Sequence, residues 1–296
     1  MKYCIGIDLG GTKINAALIN ENYKIIKRIG KKTSKDKEKV LETIKSEIEI
    51  LKDGVKIEGI GIGSPGTIDV NYGKVTAIGG NVSNWSGTDI FGFLNKNFPN
   101  EKIKVENDAN CAGLCEYLKG SAKGYESAVI LTIGTGMGGC FVFQNEVYHG
   151  NNFRATELGH GILYPGGRLC TCGQRGCNER YASGTGIENN FREYSGMNLS
   201  AKEVFEIAKT NQNAKKAIRK FSYDLSNVLI NVKNFFDPAI IVIGGGVINS
   251  SEIWWEDMLK FYKKNINAID DMPIKKAKYK NDAGLIGAAG LILREI

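Results

Sequence analysis

The sequence predicts an α/β protein of two lobes built on one repeated unit, and three observations point there. Short apolar strands alternate with stretches of helical period along the chain. A strand, a glycine-rich turn and a second strand then occur twice. Ile5 to Thr12 and beyond aligns with Val129-Ile130-Leu131-Thr132-Ile133-Gly134-Thr135-Gly136-Met137-Gly138-Gly139, which puts Gly134 on Gly10 and Thr132 on Asp8. The following strand, Cys140 to Phe143, and its polar turn fall on Ala16 to Ile19 and Asn20-Glu21-Asn22. Finally, 296 residues suit two domains of ordinary size with real cores.

In chain order, residues 3 to 8 form an apolar strand ending on Asp8, followed by Leu9-Gly10-Gly11-Thr12-Lys13 and a strand from Ile14 to Ile19. Such a hairpin can turn backbone N–H groups and a hydroxyl toward a phosphate oxygen, with Asp8 placed for magnesium; a plain turn is the alternative. It is not a Walker sequence, because no Gly-Lys-Ser/Thr follows at the required spacing. The second copy, at Gly134 to Gly139, strengthens the phosphate reading. Val40, Leu41, Ile44, Ile48 and Leu51 predict an amphipathic helix over 36 to 52. A buried strand, Ile57 to Ile62, runs into the turn Gly61 to Gly66, where a ligand can meet the strand end. Gly80-Asn81-Val82-Ser83-Asn84-Trp85 offers an amide that suits a hydroxyl-rich ligand, or is a polar loop with Trp85 in the core.

Ile103 to Glu106 leads to Asn107-Asp108-Ala109-Asn110, where a strand ends and a helix begins, running to about Lys119. Asp108 is either a helix cap, a role open also to Asn110, or a general base at the carboxyl end of a strand. Gly120 to Gly124 reads as the connection into the second lobe. Thr156-Glu157-Leu158-Gly159-His160 and Cys170-Thr171-Cys172-Gly173-Gln174-Arg175-Gly176-Cys177-Asn178-Glu179 supply one imidazole and three thiols, a full tetrahedral set for zinc. The Cys170–Cys172 spacing is tighter than in zinc fingers, so three ordinary thiols in a glycine-rich loop remain an alternative. If zinc is bound, the closed shell makes it structural and gives it the neighbouring Glu157 and Glu179 to position. Arg180 to Gly184 opens a helical region, 201 to 209 and 214 to 236 are helical by period, and Asp237-Pro238 ends the last of them. The apolar strand Ala239 to Ile243 delivers Gly244-Gly245-Gly246-Val247, which either lets a flat ring or ribose approach the backbone or is a tight strand-to-helix turn. Asn281-Asp282-Ala283-Gly284 caps a small-residue helix, Leu285 to Leu293.

The net charge of +7 comes from scattered lysines such as Lys31, Lys32, Lys35, Lys37 and Lys39, a solvated face rather than a nucleic-acid patch. No apolar run approaches the roughly 18 residues of a membrane span. Seven cysteines, an odd count, and a Met1-Lys2-Tyr3 start with no charged and apolar leader point to a reducing cytoplasm.

Together Asp8 to Lys13, Asn107-Asp108, Gly134 to Gly139, Glu157 to His160, Cys170 to Glu179 and Asn281 to Gly284 resemble the sugar-kinase branch of the ROK family, within the actin-like ATPase superfamily. The resemblance implies a two-lobed actin-like (ribonuclease H-like) fold with the active site in the interlobe cleft. A smaller lobe would comprise 1–119 plus 284–296, and a larger one 120–283. It implies ATP with magnesium, and transfer to the 6-hydroxyl of a hexose or N-acetylhexosamine, with glucose and N-acetylmannosamine the leading candidates and N-acetylglucosamine behind. Asp108 would be the base, and Gly66, Asn81, Asn107, Glu157, His160 and Glu179 would bind the sugar. Asp8, Gly10, Gly11, Thr12 and Lys13 with Gly134, Thr135, Gly136 and Gly138 would hold the ATP phosphates and magnesium. Gly245 and Gly246 would line the nucleoside, and His160, Cys170, Cys172 and Cys177 would bind zinc. A homodimer is implied as well. Family repressors carry a DNA-binding helix-turn-helix ahead of the first hairpin, which here starts by Tyr3, so a sugar-responsive regulator is the weaker reading, and a non-catalytic actin-like binding protein a third.

Overall fold

The computed structural model describes residues 1–77, 82–267 and 272–295. The chain forms two compact units, Met1–Gly124 with Asn145–Ala155 and Asn281–Ile296, and Tyr125–Gln144 with Thr156–Lys280. They are nearly equal in length, not one small and one large, and the second is interrupted by Asn145–Ala155 where an unbroken 120–283 was expected. Local bonding explains the interruption. The Asn145 N–H donates to the Tyr117 hydroxyl at 3.4 Å, and Arg294 reaches the Asn145 carbonyl at 2.7 Å and the Glu146 carboxylate at 3.1 Å.

The first unit contains β1 (Tyr3–Leu9), β2 (Lys13–Asn20), β3 (Ile25–Lys32), α1 (Lys37–Lys52), β4 (Gly59–Ser64), β5 (Thr67–Asp69), β6 (Lys74–Ala77), α2 (Ile90–Asn97), β7 (Ile103–Asn107) and α3 (Asp108–Leu118). There follow β8 (Ser127–Ile133), β9 (Met137–Phe143), β10 (Glu146–Val147), α4 (Gly184–Ser195), α5 (Ala201–Ile207), α6 (Gln212–Phe236), β11 (Ile241–Gly244), α7 (Ser251–Asn265), β12 (Ile274–Lys276) and α8 (Ala283–Leu293). The first sheet has the order β3-β2-β1-β4-β7 and the second β10-β9-β8-β11-β12. In each, the founding strand is antiparallel to its hairpin partner and parallel to the strand on its other side. The repeat read at the hairpins therefore extends through both sheets. By register, Gly244-Gly245-Gly246 at the end of β11 stands where Gly63-Ser64-Pro65 stands at the end of β4. The hairpins differ in one respect: Leu9 opposes Ile14 but Ile133 opposes Met137, so the second turn is tighter by one residue.

Each unit has its own core. In the first, Ile5, Ile7, Leu9, Ile60 and Ile62 are buried together with Val40, Ile44, Ile48 and Leu51 of α1, the stripe that the period predicts. Each such side chain contributes about 2 kcal/mol of burial. Trp85 is fully buried and its indole donates to Ser64 Oγ at 3.0 Å, so of the two readings of its stretch it belongs to the core; Asn81 lies outside the described residues. In the second unit Phe221, Leu225, Val228, Leu229 and Val232 of α6 pack with Val129, Leu131 and Ile133 of β8. Lys27, Lys31 and Lys32 stand exposed on β3, an edge strand that the sequence reading left unassigned because its pattern is mostly polar. Charged edges of this kind resist pairing with another chain.

Close backbone approach fixes α8. A Cβ on Gly61 would fall 1.8 Å from the Ala288 carbonyl oxygen, one on Gly6 2.2 Å from that of Leu285, and one on Gly287 1.7 Å from that of Cys111. Glycine at these positions lets α8 press against β1, β4 and α3, which sets its N-terminus beside the end of β1. The helix starts at Ala283 rather than Leu285, and Asp282 does not cap it with its side chain but pairs with Arg28 at 2.5 Å. Among the described residues no helix is long and apolar enough to cross a membrane.

Candidate active site

In the first unit the expected residues gather at the ends of β1, β4 and β7. Asp8 is half-buried, and burial pushes its carboxyl up from the usual value. Its carboxylate lies against Gly284 in the first turn of α8, where a Cβ would come within 2.7 Å of the carboxyl carbon. An oxygen donor whose charge is opposed by burial is suited to a cation such as magnesium. The Gly10–Lys13 turn is closed by the Gly10 N–H donating to the Lys13 carbonyl at 3.0 Å. Thr33 covers it from behind: its Oγ1 donates to the Gly10 carbonyl at 2.7 Å and its N–H to the Thr12 carbonyl at 3.0 Å. Gly11, Thr12 and Lys13 are exposed.

At the end of β7, Asn107 caps α3, its Oδ1 accepting the Asn110 N–H at 3.1 Å. This corrects the assignment of the cap to Asp108 or Asn110. The extended backbone of Asn107 suits a cap, whereas Asp108 is already in the first helical turn, where its Oδ1 accepts the Ala109 N–H at 2.8 Å. Negative charge is favoured there by the helix dipole. The Asn107 amide also donates to the Gly66 carbonyl at 2.9 Å, so two predicted substrate residues are joined directly. The sequence reading missed two further residues. Glu106, almost wholly buried on β7, and His149 approach to 2.6 Å, Nε2 to Oε2. Adjacency to Asn107 was the only signal for Glu106, and scarcity the only one for His149, since the chain has two histidines.

In the second unit the Gly134–Gly136 turn is built on the same plan. The Gly134 N–H donates to the Gly136 carbonyl at 3.0 Å; the Gly134 carbonyl accepts the Gly184 N–H at 2.8 Å, and the Thr135 carbonyl accepts Ser183 Oγ–H at 2.9 Å. Gly138 follows on β9. Gly245 needs its left-handed φ of 85° and presses on Ile133, whose carbonyl oxygen a Cβ would meet at 2.4 Å, so it serves the tight turn. At Gly246, as at Gly134, a Cβ would meet nothing within 4 Å, so of Gly245 and Gly246 it is the second that leaves room for a ligand.

Glu157 is exposed and follows Thr156, a β-branched residue at φ 62° that is held there by its Oγ1 donating to the Gly139 carbonyl at 3.2 Å. Positive φ at such a residue is strained and marks a conformation imposed by its surroundings. Glu157 opens the turn Leu158–His160, and Glu179 lies in the turn Asn178–Arg180. Asn178, buried and also missed, ties the two: its amide donates to the Leu158 carbonyl at 2.7 Å and its N–H to the Gly161 carbonyl at 2.8 Å. Glu179 Oε2 accepts the Met137 N–H at 3.3 Å beside Gly136, where a Cβ would come within 2.4 Å of it, and Oε1 accepts the Cys170 thiol at 3.5 Å.

The ligand atoms of His160, Cys170, Cys172 and Cys177 all lie within 4.8 Å of one another. Cys172 Sγ is 3.6 Å from Cys177 Sγ, and Cys170 Sγ is 3.8 Å from His160 Nδ1. Zinc–sulfur bonds of about 2.3 Å in a tetrahedron require edges of about 3.7 Å, so the donor set and its spacing fit a zinc ion. The Gln174 backbone N–H draws the Cys172 thiol down to about 7, whereas burial pushes the Cys177 thiol up to about 12. No disulfide forms: all seven cysteines are free.

Comparison with known proteins places the whole chain. The ROK family model matches residues 4–295. The chain is 32% identical to a glucokinase of Thermotoga maritima, over 99% of this chain and 98% of that protein. It is also 32% identical to an N-acetyl-D-glucosamine kinase of Photobacterium profundum, over 98% and 99%. Among solved structures, the ROK hexokinase of Thermus thermophilus superposes with a TM-score of 0.91 at 31% identity, covering 99% of this chain and 98% of that one. The two matched sheets are thus those of an actin-like ATPase fold.

Proposed function

The chain belongs to the ROK family, and on that premise we propose that it is an ATP-dependent sugar kinase acting on the 6-hydroxyl of a hexose or N-acetylhexosamine. The observation that carries the reading is the capping of α3 by Asn107. Capping does not occupy Asp108, a carboxylate at the carboxyl end of a parallel strand, which is where open α/β sheets place their chemistry. A sugar hydroxyl is a poor nucleophile, and Asp108 takes its proton as the hydroxyl oxygen bonds the γ-phosphorus and the bond from that phosphorus to the bridging oxygen breaks, with ADP as the leaving group. The two glycine turns, whose carbonyls are covered from behind, offer N–H donors to the ATP phosphates. Asp8 would hold a magnesium ion, which when bound would supply charge neutralisation on those phosphates. Glu157, His160 and Glu179 hold ring hydroxyls. Cys170, Cys172, Cys177 and His160 would hold a zinc ion, which would brace these residues, with the other ring nitrogen of His160 turned to the sugar. The protein works in the cytoplasm as a homodimer, a reading supported by cysteines that form no disulfide and by the family resemblance.

The test is ADP release across glucose, N-acetylmannosamine, N-acetylglucosamine and their 6-deoxy analogues. The expected result is sugar-dependent release with at least one parent sugar and none with its 6-deoxy form. Equal release without sugar would overturn the kinase reading, and turnover of a 6-deoxy sugar would overturn the position.

A further inference from the structure

The Glu106–His149 pair has no part in the chemistry above, yet it is built around the residues that begin α3. Glu106 is 3% exposed. Its Oε1 accepts two hydrogen bonds, the Asn107 backbone N–H at 2.8 Å and the Asn110 side-chain amide at 3.0 Å. Its Oε2 meets His149 Nε2 at 2.6 Å. One buried carboxylate thus grips the residues on both sides of Asp108, and its remaining oxygen is held by a single imidazole. Burying a carboxylate in this way is costly unless a cation and hydrogen bonds compensate it.

His149 is itself held in place. It begins a loop in which the Ala155 N–H donates to the His149 carbonyl at 3.0 Å, Gly150 takes a φ of 69°, and the Phe153 ring packs edge-on at 6.4 Å. The start of that segment is tied down by Tyr117 and Arg294. Glu106, Arg294 and Glu146 are the charged groups that act on the imidazole. Burial disfavours its protonation, but the hydrogen bond and charge of Glu106 outweigh burial and the repulsion from Arg294, and Glu146 adds to them, so its pKa is raised.

We propose that His149 is a positioning residue for the transfer reaction: as an imidazolium paired with Glu106 it locks the Asn107–Asn110 turn and thereby fixes where the Asp108 carboxylate points. The inference rests on the reading of Asp108 as the base. The sign of its pH dependence follows from the raised pKa. The pairing is complete below the ordinary histidine value and is lost as pH rises through the raised one, so turnover declines over that upper window.

The test combines kinetics with imidazole NMR, where the chain has two histidines and the His149→Gln spectrum identifies the His149 resonance. His149→Ala is expected to lower kcat about tenfold with KM for sugar and ATP within about twofold, the pattern of a misplaced but intact base. His149→Gln, which keeps a neutral donor without the charge, is expected to turn over at the level the wild type reaches at high pH and to show no further decline there. In the wild type the His149 resonance titrates above the ordinary value, and Glu106→Gln brings it back down. Asp108→Asn separates the two claims. If it leaves turnover intact, the base assignment fails. If it abolishes turnover while folded His149→Ala or His149→Gln behaves as wild type at every pH, the positioning role alone is overturned. A His149 titration that Glu106→Gln does not move overturns it too, whether or not His149→Ala folds.

Discussion

The two five-stranded sheets share one strand order and one hairpin plan, but the two units hold the carboxylates proposed for the reaction by different means. In the first unit Asp108 stands in the first turn of a regular helix, and the residues around it are bonded to Gly66 and to buried Glu106. In the second, Glu157 and Glu179 stand on two single turns joined through Asn178, beside a cluster of three thiols and an imidazole. A strand end next to a helix is rigid through its backbone ladder. Two short turns are not, and under the proposed zinc reading a four-ligand ion on His160, Cys170, Cys172 and Cys177 would be the cross-link there. The difference predicts that damage to the first unit's site reduces turnover, and damage to the second unit's loop weakens sugar binding.

The largest effect belongs to Asp108→Asn. It is expected to lower kcat by roughly two to four orders of magnitude, the usual worth of a positioned general base, with the sugar KM little changed. Since Asn107 is the cap, the variant should also unfold at nearly the wild-type temperature. Near-normal turnover in the purified variant would break the first half of the comparison.

Next comes the cross-link. Purified protein is expected to hold one zinc ion per chain, and Cys172→Ser to lose it and raise the sugar KM roughly tenfold or more, the scale of losses around metal sites. Glu179→Gln should raise the sugar KM with zinc still bound. Active wild-type protein without metal, or a zinc-free variant with a normal sugar KM and a reduced kcat, would show that the second unit's turns hold themselves.

The repeat was legible because glycine turns between apolar strands are conspicuous. The edge strand β3, with its exposed lysines, and the short β5, β6 and β12 were not, because polar or three-residue strands have no usable period. The second correspondence, between Gly63-Ser64-Pro65 and Gly244-Gly245-Gly246, escaped notice because Ser64 and Pro65 stand where the second run has glycines. Residue types that advertise chemistry stood out in the sequence: the thiols, Asp8 and Asp108. Those that act through geometry did not. Glu106, His149 and Asn178 matter because of what the fold brings to them across 43 residues in one case and 20 in another, and nothing local marks that.

A subtler contrast lies within the glycine turns. Gly136→Ala would set a Cβ 2.4 Å from Glu179 Oε2, while Gly246→Ala would meet nothing within 4 Å. The first should displace Glu179 and raise the KM of both sugar and ATP, about tenfold for an ångström-scale shift. The second should leave stability alone and raise only the ATP KM, since a ligand and not the protein uses that space. Both variants are read from KM values at saturating co-substrate. If Gly136→Ala left the sugar KM unchanged, the link between the turn and Glu179 would be broken.

The smallest effect concerns buried carboxylates outside the sites. In the second unit Asp224 is buried but accepts the Tyr164 hydroxyl at 2.6 Å and is paired with Lys220. In the first, Glu47 of α1 is fully buried, and neither carboxylate oxygen has a hydrogen-bond partner among the described residues. Burial pushes its carboxyl up from 4.5 to about 7, with Lys31 and Lys13 pulling the other way. Between those two values the folded chain keeps a proton that the unfolded chain has lost, so stability falls as pH rises across the window and levels off above about 7. Glu47→Gln removes the ionisation while keeping the shape. Its unfolding temperature is expected to match the wild type near pH 4.5, to exceed it increasingly toward pH 7 and to stay above it by a constant margin beyond. A difference that does not change with pH would mean that Glu47 finds a cation as Asp224 does, and that the first unit tolerates no unpaired charge after all.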